Sequence, residues 1–412
     1  MNVAALPEGS ILLHIGPYKT GTTAIQAALA ENRDALAAQG VSYPTRGNHE
    51  FSPAMAITHG RVDPGRNVDA HLDYWHQMVR GFHQQRPRIG VLSSEAYSEA
   101  KPERIGVILD ELGPGAHVVI TLRPLVRIIG SQWQQYLQNN RVFSYPEWLE
   151  GVLASPEPGP PTPTFWTRHR HDRLVERWLE AVGPERLTLL VVDDNDKTFL
   201  MRGFEHLLGL TVGTLDLRQA QRNRSLTFNE IEFVRAFNKA YGATGLGAAD
   251  YTTFIRYAAM RALQARTPDP ADQRLLTPRW AVERTLELAE MIVGNIRALE
   301  VPRIVGDLGT LTDPAQAPAI GENTPVTEVD PDAAAAFIGG LVNAAGKVHG
   351  GPTPNDNWGP VQHAVWRLHR AVNYATHPDW ERNLRADNAR LDRELAGRRP
   401  ALWQRVRGRL KR

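Results

Sequence analysis

Four short, mostly apolar runs constrain how this chain folds. They are Ile11–Ile15, Ile89–Leu92, Val118–Leu122 and Leu187–Val192. Each is too short for a buried helix and stops at glycine or polar residues: Gly16, Ser93-Ser94-Glu95, Arg123-Pro124 and Asp193-Asp194. Continuous rather than alternating hydrophobicity marks strands covered on both faces, hence a parallel sheet. The intervening segments read as helices. Thr22 to Ala38 carries an apolar stripe at Ala24, Ile25, Ala28, Leu29 and Leu36 and stops at Gly40. Helices are also predicted from Glu103 to Leu112 and from Leu125 to Gln138. The expected fold class is α/β, a three-layer sandwich around a central parallel sheet, with a mostly helical C-terminal portion.

The 412 residues suffice for one large α/β domain with appendages. A net charge of +2 does not suit a general nucleic-acid binder. Cysteine is absent, which excludes disulfides, thiolate catalysis and cysteine-based zinc sites, and fits a reducing cytoplasm. The apolar run after Ser10 is too short for a signal peptide, and no window approaches a membrane span. Abundant Ala, Arg, Gly and Pro suggest a GC-rich bacterial genome. Ser155 to Pro163 reads as a surface loop, residues 226–299 as mostly helical, and Ile304 to Pro331 as a linker or extended wrap. The predicted division is a domain at 1–305, a linker with a short helix at 306–357, and a basic helical tail at 358–412.

Chemistry concentrates in the turn after the first strand, Gly16-Pro17-Tyr18-Lys19-Thr20-Gly21-Thr22-Thr23. Amides converge where a strand enters a helix, and the helix dipole favours an anion there. Lys19 adds a cation, and Thr22 and Thr23 add hydroxyl donors. The order Gly-Lys-Ser/Thr required by nucleotide triphosphate loops is missing, because Tyr18 precedes Lys19. Pro-x-Lys-Thr-Gly-Thr-Thr instead resembles the 5'-phosphosulfate loop of bacterial sulfotransferases that use PAPS (3'-phosphoadenosine 5'-phosphosulfate). The flanking His14-Ile15-Gly16, Gln26, Asn32-Arg33, Leu36, Gly40-Val41, Tyr43-Pro44 and Asn223-Arg224-Ser225-Leu226-Thr227 are similar to the same family. The resemblance covers Ile11 to Phe237.

That resemblance implies a P-loop-like fold and sulfuryl transfer from PAPS to an acceptor hydroxyl on a carbohydrate or glycan, with no metal required. It assigns Pro17, Tyr18, Lys19, Thr20, Gly21, Thr22 and Thr23 to the donor's 5' side. It assigns Arg123 and Ser131, eight residues apart, to the 3'-phosphate, with Arg127 as a rival cation. Lys19 is expected to stabilise charge on the leaving phosphate. The proton-accepting base is Glu95, at the edge where open α/β sheets place their sites, or His49. His14, inside a strand, reads as a core residue. The basic stretch Arg168 to Arg173, which includes His169 and His171, reads as a solvated helix start or as a contact for an anionic acceptor. The segment Asn223 to Thr227 either contacts the donor or, through Ser225 or Thr227, caps the next helix.

Two other functions stay open: a P-loop kinase or NTPase, with Leu187 to Asp193 as its metal-holding strand, and a non-catalytic PAP- or glycan-binding protein. The tail after Arg398 interleaves basic residues with Leu402, Trp403, Val406 and Leu410. Such a helix fits peripheral contact with an anionic inner-membrane face, docking on its own domain or a partner, or a frayed end.

Overall fold

The computed structural model describes residues 3–62, 67–216, 224–244 and 247–348. The chain forms two compact units. The first comprises Met1–Asn238 and Pro270–Thr327, the second Lys239–Asp269 and Glu328–Arg412.

The first unit is built on six parallel strands: β1 (Ser10–Ile15), β2 (Val41–Ser42), β3 (Ile89–Ser93), β4 (Ala116–Leu122), β5 (Leu187–Val191) and β6 (Ile304–Val305). Their order is β2-β3-β1-β4-β5-β6. β1 is therefore central, with β3 on one side and β4 on the other, in registers Leu12↔Val91 and Leu12↔His117. The helices are α1 (Thr22–Glu31), α2 (Arg33–Ala38), α3 (Phe51–His59), α4 (Val68–Gln85), α5 (Pro102–Leu112), α6 (Leu125–Gln138), α7 (Tyr145–Ala154), α8 (Thr164–His169), α9 (His171–Val182) and α10 (Phe199–Leu208). α11 (Phe228–Gly242) follows.

Side chains alternate across the sheet, so each strand serves two cores. Leu12, Val91, Val119 and Leu190 pack with Ile25, Leu29, Leu36, Phe204 and Leu207 from α1, α2 and α10. Residues of opposite parity, such as Leu13 and Ile120, are fully buried as well, and α9 packs on β4 and β5. The expected α/β sandwich is what forms.

In the second unit, α12 (Ala248–Asp250) leads into a π-helical stretch, Tyr251–Ala259, then α13 (Met260–Ala265); α15 (Pro331–Val348) packs on both. Gly340 allows that approach, since a Cβ there would lie 2.6 Å from Ala262 Cβ. α14 (Arg279–Ala298) belongs to the first unit.

Two local expectations need correction, and one strand was not foreseen. The helix predicted across Thr22 to Ala38 breaks at Asn32, whose Nδ2 donates to Ala28 O at 2.9 Å and to Asp216 O at 3.0 Å. Asn thus takes over a backbone acceptor and turns the chain. The segment read as a linker from Ile304 starts as edge strand β6, paired in register Leu189↔Ile304. β2 has two residues, too few to show a pattern. The tail after residue 348 lies outside the described residues. Among those described, no helix is long and apolar enough to cross a membrane.

Candidate active site

The turn between β1 and α1 is held in a conformation that is costly for its residues. Lys19 has φ 69° and Gly21 φ 94°. A non-glycine residue in the left-handed region costs on the order of 1 kcal/mol or more and persists only when its surroundings fix it. Here they do: Thr20 donates to Pro17 O through N at 3.2 Å and through Oγ1 at 2.8 Å. Arg123 Nη1 donates to Lys19 O at 2.8 Å. Gly16 permits the tight entry, because a Cβ there would sit 2.1 Å from Thr22 Cγ2 and 2.8 Å from Thr121 Oγ1. No side chain caps α1, so its first amides stay open to an anion.

Beneath the turn a polar row crosses three strands. Ser93 Oγ lies 2.7 Å from His14 Nδ1, His14 Nε2 lies 3.2 Å from Thr121 Oγ1, and Thr121 Oγ1 lies 2.9 Å from Thr20 Oγ1. His14 is fully buried, and that burial lowers its pKa to about 3. It is a neutral structural bridge, as its place inside a strand suggested.

Lys19 Nζ donates to Gln135 Oε1 on α6 at 2.9 Å. Burial, then the positive charge of Arg123, lower the Lys19 pKa to about 8, while Glu95 acts in the opposite sense. Arg123 and Glu95 are thus both within electrostatic reach of Lys19. They come from the C-terminal ends of the three adjacent strands β1, β4 and β3. Glu95 opens a 3-10 turn, Glu95–Glu99, and its Oε2 accepts from Gln26 Nε2 at 3.4 Å.

Arg123 is more committed than the sequence suggested. Besides Lys19 O, it grips Asp194 through Nε and Nη2. Arg127 lies 4.0 Å from Asp194, and its buried Nε has no hydrogen-bond partner. Arg127, Ser131 and Gln135 recur every four residues on one face of α6, the face that meets Lys19. Ser131 Oγ donates to Ile128 O at 2.8 Å, which keeps it on the helix surface.

The other candidates separate. His49 is exposed, with its ring edge-on to Phe51 at 6.0 Å. Pro17, Thr20 and Thr22 are buried, and Thr23 is exposed. Tyr18 lies under the Arg168 guanidinium at 3.9 Å. His169 and His171 are corrected: they are 0% and 2% exposed, packed by Phe165 and by each other, and so cannot touch an acceptor. Thr227 caps α11 through a reciprocal pair, Glu230 N to Thr227 Oγ1 and Thr227 N to Glu230 Oε2. Asn223 lies outside the described residues.

Sequence reasoning missed Glu50. It is 2% exposed, and its Oε1 accepts from Ser93 N at 2.6 Å. Its buried Oε2 has no hydrogen-bond partner. Burial raises its pKa to about 8 against the pull of its hydrogen bonds, and nearby Glu95 adds to the rise. Only its position next to His49 could have drawn attention to it.

No family model matches the chain, and no curated protein matches it. Among solved structures it is similar to the crystal structure of a sulfotransferase from Alicyclobacillus acidocaldarius, with 16% identity and a TM-score of 0.40. The superposition covers 76% of this chain and 100% of that one. Among the described residues, no cluster of three or more His, Cys, Asp or Glu could hold a metal ion.

Proposed function

We propose that this protein is a sulfotransferase that moves a sulfuryl group from PAPS to a hydroxyl of a carbohydrate acceptor. One observation supports this reading above the others. Arg123, at the end of β4, donates to the carbonyl of Lys19, and Lys19 donates to Gln135 of α6. These contacts support reading the turn that resembles a phosphosulfate loop and the segment that resembles a 3'-phosphate site as parts of one site.

In this reading the open amides of α1, Lys19, Thr22 and Thr23 hold the 5'-phosphosulfate. Arg127 and Ser131, with Arg123 behind them, face the 3'-phosphate. The acceptor oxygen forms a bond to sulfur as the bond from sulfur to the leaving phosphate oxygen breaks. The electron pair departs onto that oxygen, where the Lys19 ammonium offsets the growing charge. Glu95 takes the proton of the acceptor hydroxyl. It is favoured over His49 because it shares the electrostatic field of Lys19, whereas His49 faces solvent.

The kinase or NTPase reading needs a free carboxylate after β5. Asp194 is paired with Arg123, and Asp193 accepts from Asn195 N and Gln316 Nε2. A non-catalytic binding protein would bind PAP yet transfer nothing. The test is calorimetric titration with PAP, followed by transfer from labelled PAPS onto a glycan panel with chelator present. Under donor saturation, Glu95→Gln should slow transfer about a hundredfold, and His49→Ala should leave it within a few fold. Failure of PAP to bind would overturn the reading.

A further inference from the structure

Beside the Lys19 turn lies a cluster of cations with few anions to match. Arg168 covers the Tyr18 ring, and its Nε donates to Glu99 Oε1 at 2.7 Å. Arg177 donates through Nη2 to Ser98 O at 2.9 Å, while its buried Nε has no partner. No carboxylate pairs with Arg177 among the described residues, and burial lowers its pKa. Arg104 lies over the turn His59-Gly60-Arg61, with its Nη2 3.4 Å from where a Cβ on Gly60 would be. α3 packs on the Glu95–Glu99 turn and on α5, and α8 packs on that same turn. Burial lowers the His59 pKa; Glu99 opposes that shift, and the charges of Arg61, Arg168 and Arg104 add to it. Arg61 and Arg104 are exposed and form no ion pair among the described residues; Glu103, next on α5, is exposed as well.

Among the described residues, Arg61, Arg104 and Arg168 act on His59 together with Glu99, and Arg177 reaches the Glu95–Glu99 turn through Ser98 O; such a surface favours an added oxyanion, for which planar guanidinium forks are suited. Its place sets a length scale. Glu95 and Glu99 begin and end one 3-10 turn, and a rise of about 2 Å per residue separates their backbones by about 8 Å.

We infer that the patch formed by Arg61, Arg104, Arg168 and Arg177 holds a carboxylate or phosphate of the acceptor, toward the far end of the 3-10 turn that Glu95 opens. The acceptor is then an acidic glycan. This assignment rests on the sulfotransferase reading for its purpose and on the arginine cluster for its location.

The full chain, saturated with PAP so that the donor site is filled, is titrated with methyl glucuronide, glucose 6-phosphate and methyl glucoside. At least one charged sugar should bind about tenfold more tightly than the neutral one, with the advantage shrinking as salt is raised. The double variant Arg61→Ala/Arg104→Ala removes two exposed side chains. It should erase that advantage and leave PAP affinity and the melting temperature unchanged. Equal binding of charged and neutral sugars, or an unchanged advantage in the double variant, overturns the inference. If PAP fails to bind while the charged sugars still bind through Arg61 and Arg104, the sulfotransferase reading falls and the anion site stands.

Discussion

Arg123 holds Asp194 in a two-point grip, Nε to Oδ2 at 2.8 Å and Nη2 to Oδ1 at 2.7 Å. With Nη1 on the Lys19 carbonyl, the fork of this side chain is occupied by the protein itself. Arg123 is therefore a strut of the turn, and Arg127 is the arginine with a buried donor to spare.

The two arginines should separate in binding experiments. Arg123→Ala should weaken PAP and adenosine 5'-monophosphate alike, because the turn loses its support. Arg127→Ala should weaken PAP alone. A charge-assisted hydrogen bond contributes about 1.5–3 kcal/mol, hence a loss of roughly ten- to a hundredfold. Calorimetry with both nucleotides gives the answer. Equal losses for the two ligands in Arg127→Ala would remove it from the 3'-phosphate site.

Donor binding should depend on alkaline pH through Lys19. Its pKa of about 8 leaves the ammonium mostly charged at neutral pH and discharged above that value. Affinity for PAP should fall as pH rises through about 8, with proton uptake on binding in that range. Titrations in buffers of different ionisation enthalpy measure the uptake. Lys19→Arg should flatten the profile, since arginine stays charged.

Glu50 should make the fold less stable as pH rises. Below 4.5 its carboxyl is protonated in both folded and unfolded chains. Between 4.5 and about 8 the folded chain keeps a proton that the unfolded chain has released. Stability therefore declines through that window and levels off above it. Glu50→Gln mimics the protonated acid, so it should remove this part of the decline. Urea unfolding at pH 5 and pH 8 should show the variant gaining on the parent at the higher pH, on the order of a few kcal/mol.

Gly16→Ala should damage the site more than an ordinary surface change. The new methyl group meets Thr22 Cγ2 at 2.1 Å and Thr121 Oγ1 at 2.8 Å. Either the turn or Thr22 must shift, and overpacking of this kind costs about 1–3 kcal/mol. PAP affinity should drop about tenfold or more and the melting temperature should fall. Parent-like values for both would show that the turn adapts freely.

The sheet and the turn were legible because their signals are local. Leu125 to Gln138 was bounded correctly by a strand end before it and polar residues after it, and the buried strands were plain in their continuous hydrophobicity. The relationships that fix the site are not local. Arg123 and Asp194 are 71 residues apart in sequence, and Lys19 and Gln135 are 116 apart. Nothing near Glu50 announces that α3 and β3 will close over it. The same limit explains His169 and His171: a basic stretch reads as solvated, yet its periodicity carries these two rings inward while Arg173 stays outside.

The central place of β1 has a practical consequence. Glu95, Lys19 and Arg123 leave neighbouring strands, and strands in a sheet stand about 4.8 Å apart. The spacing of these three side chains is thus ruled by the backbone ladder. Helices and turns around the rim can differ without disturbing that ruler.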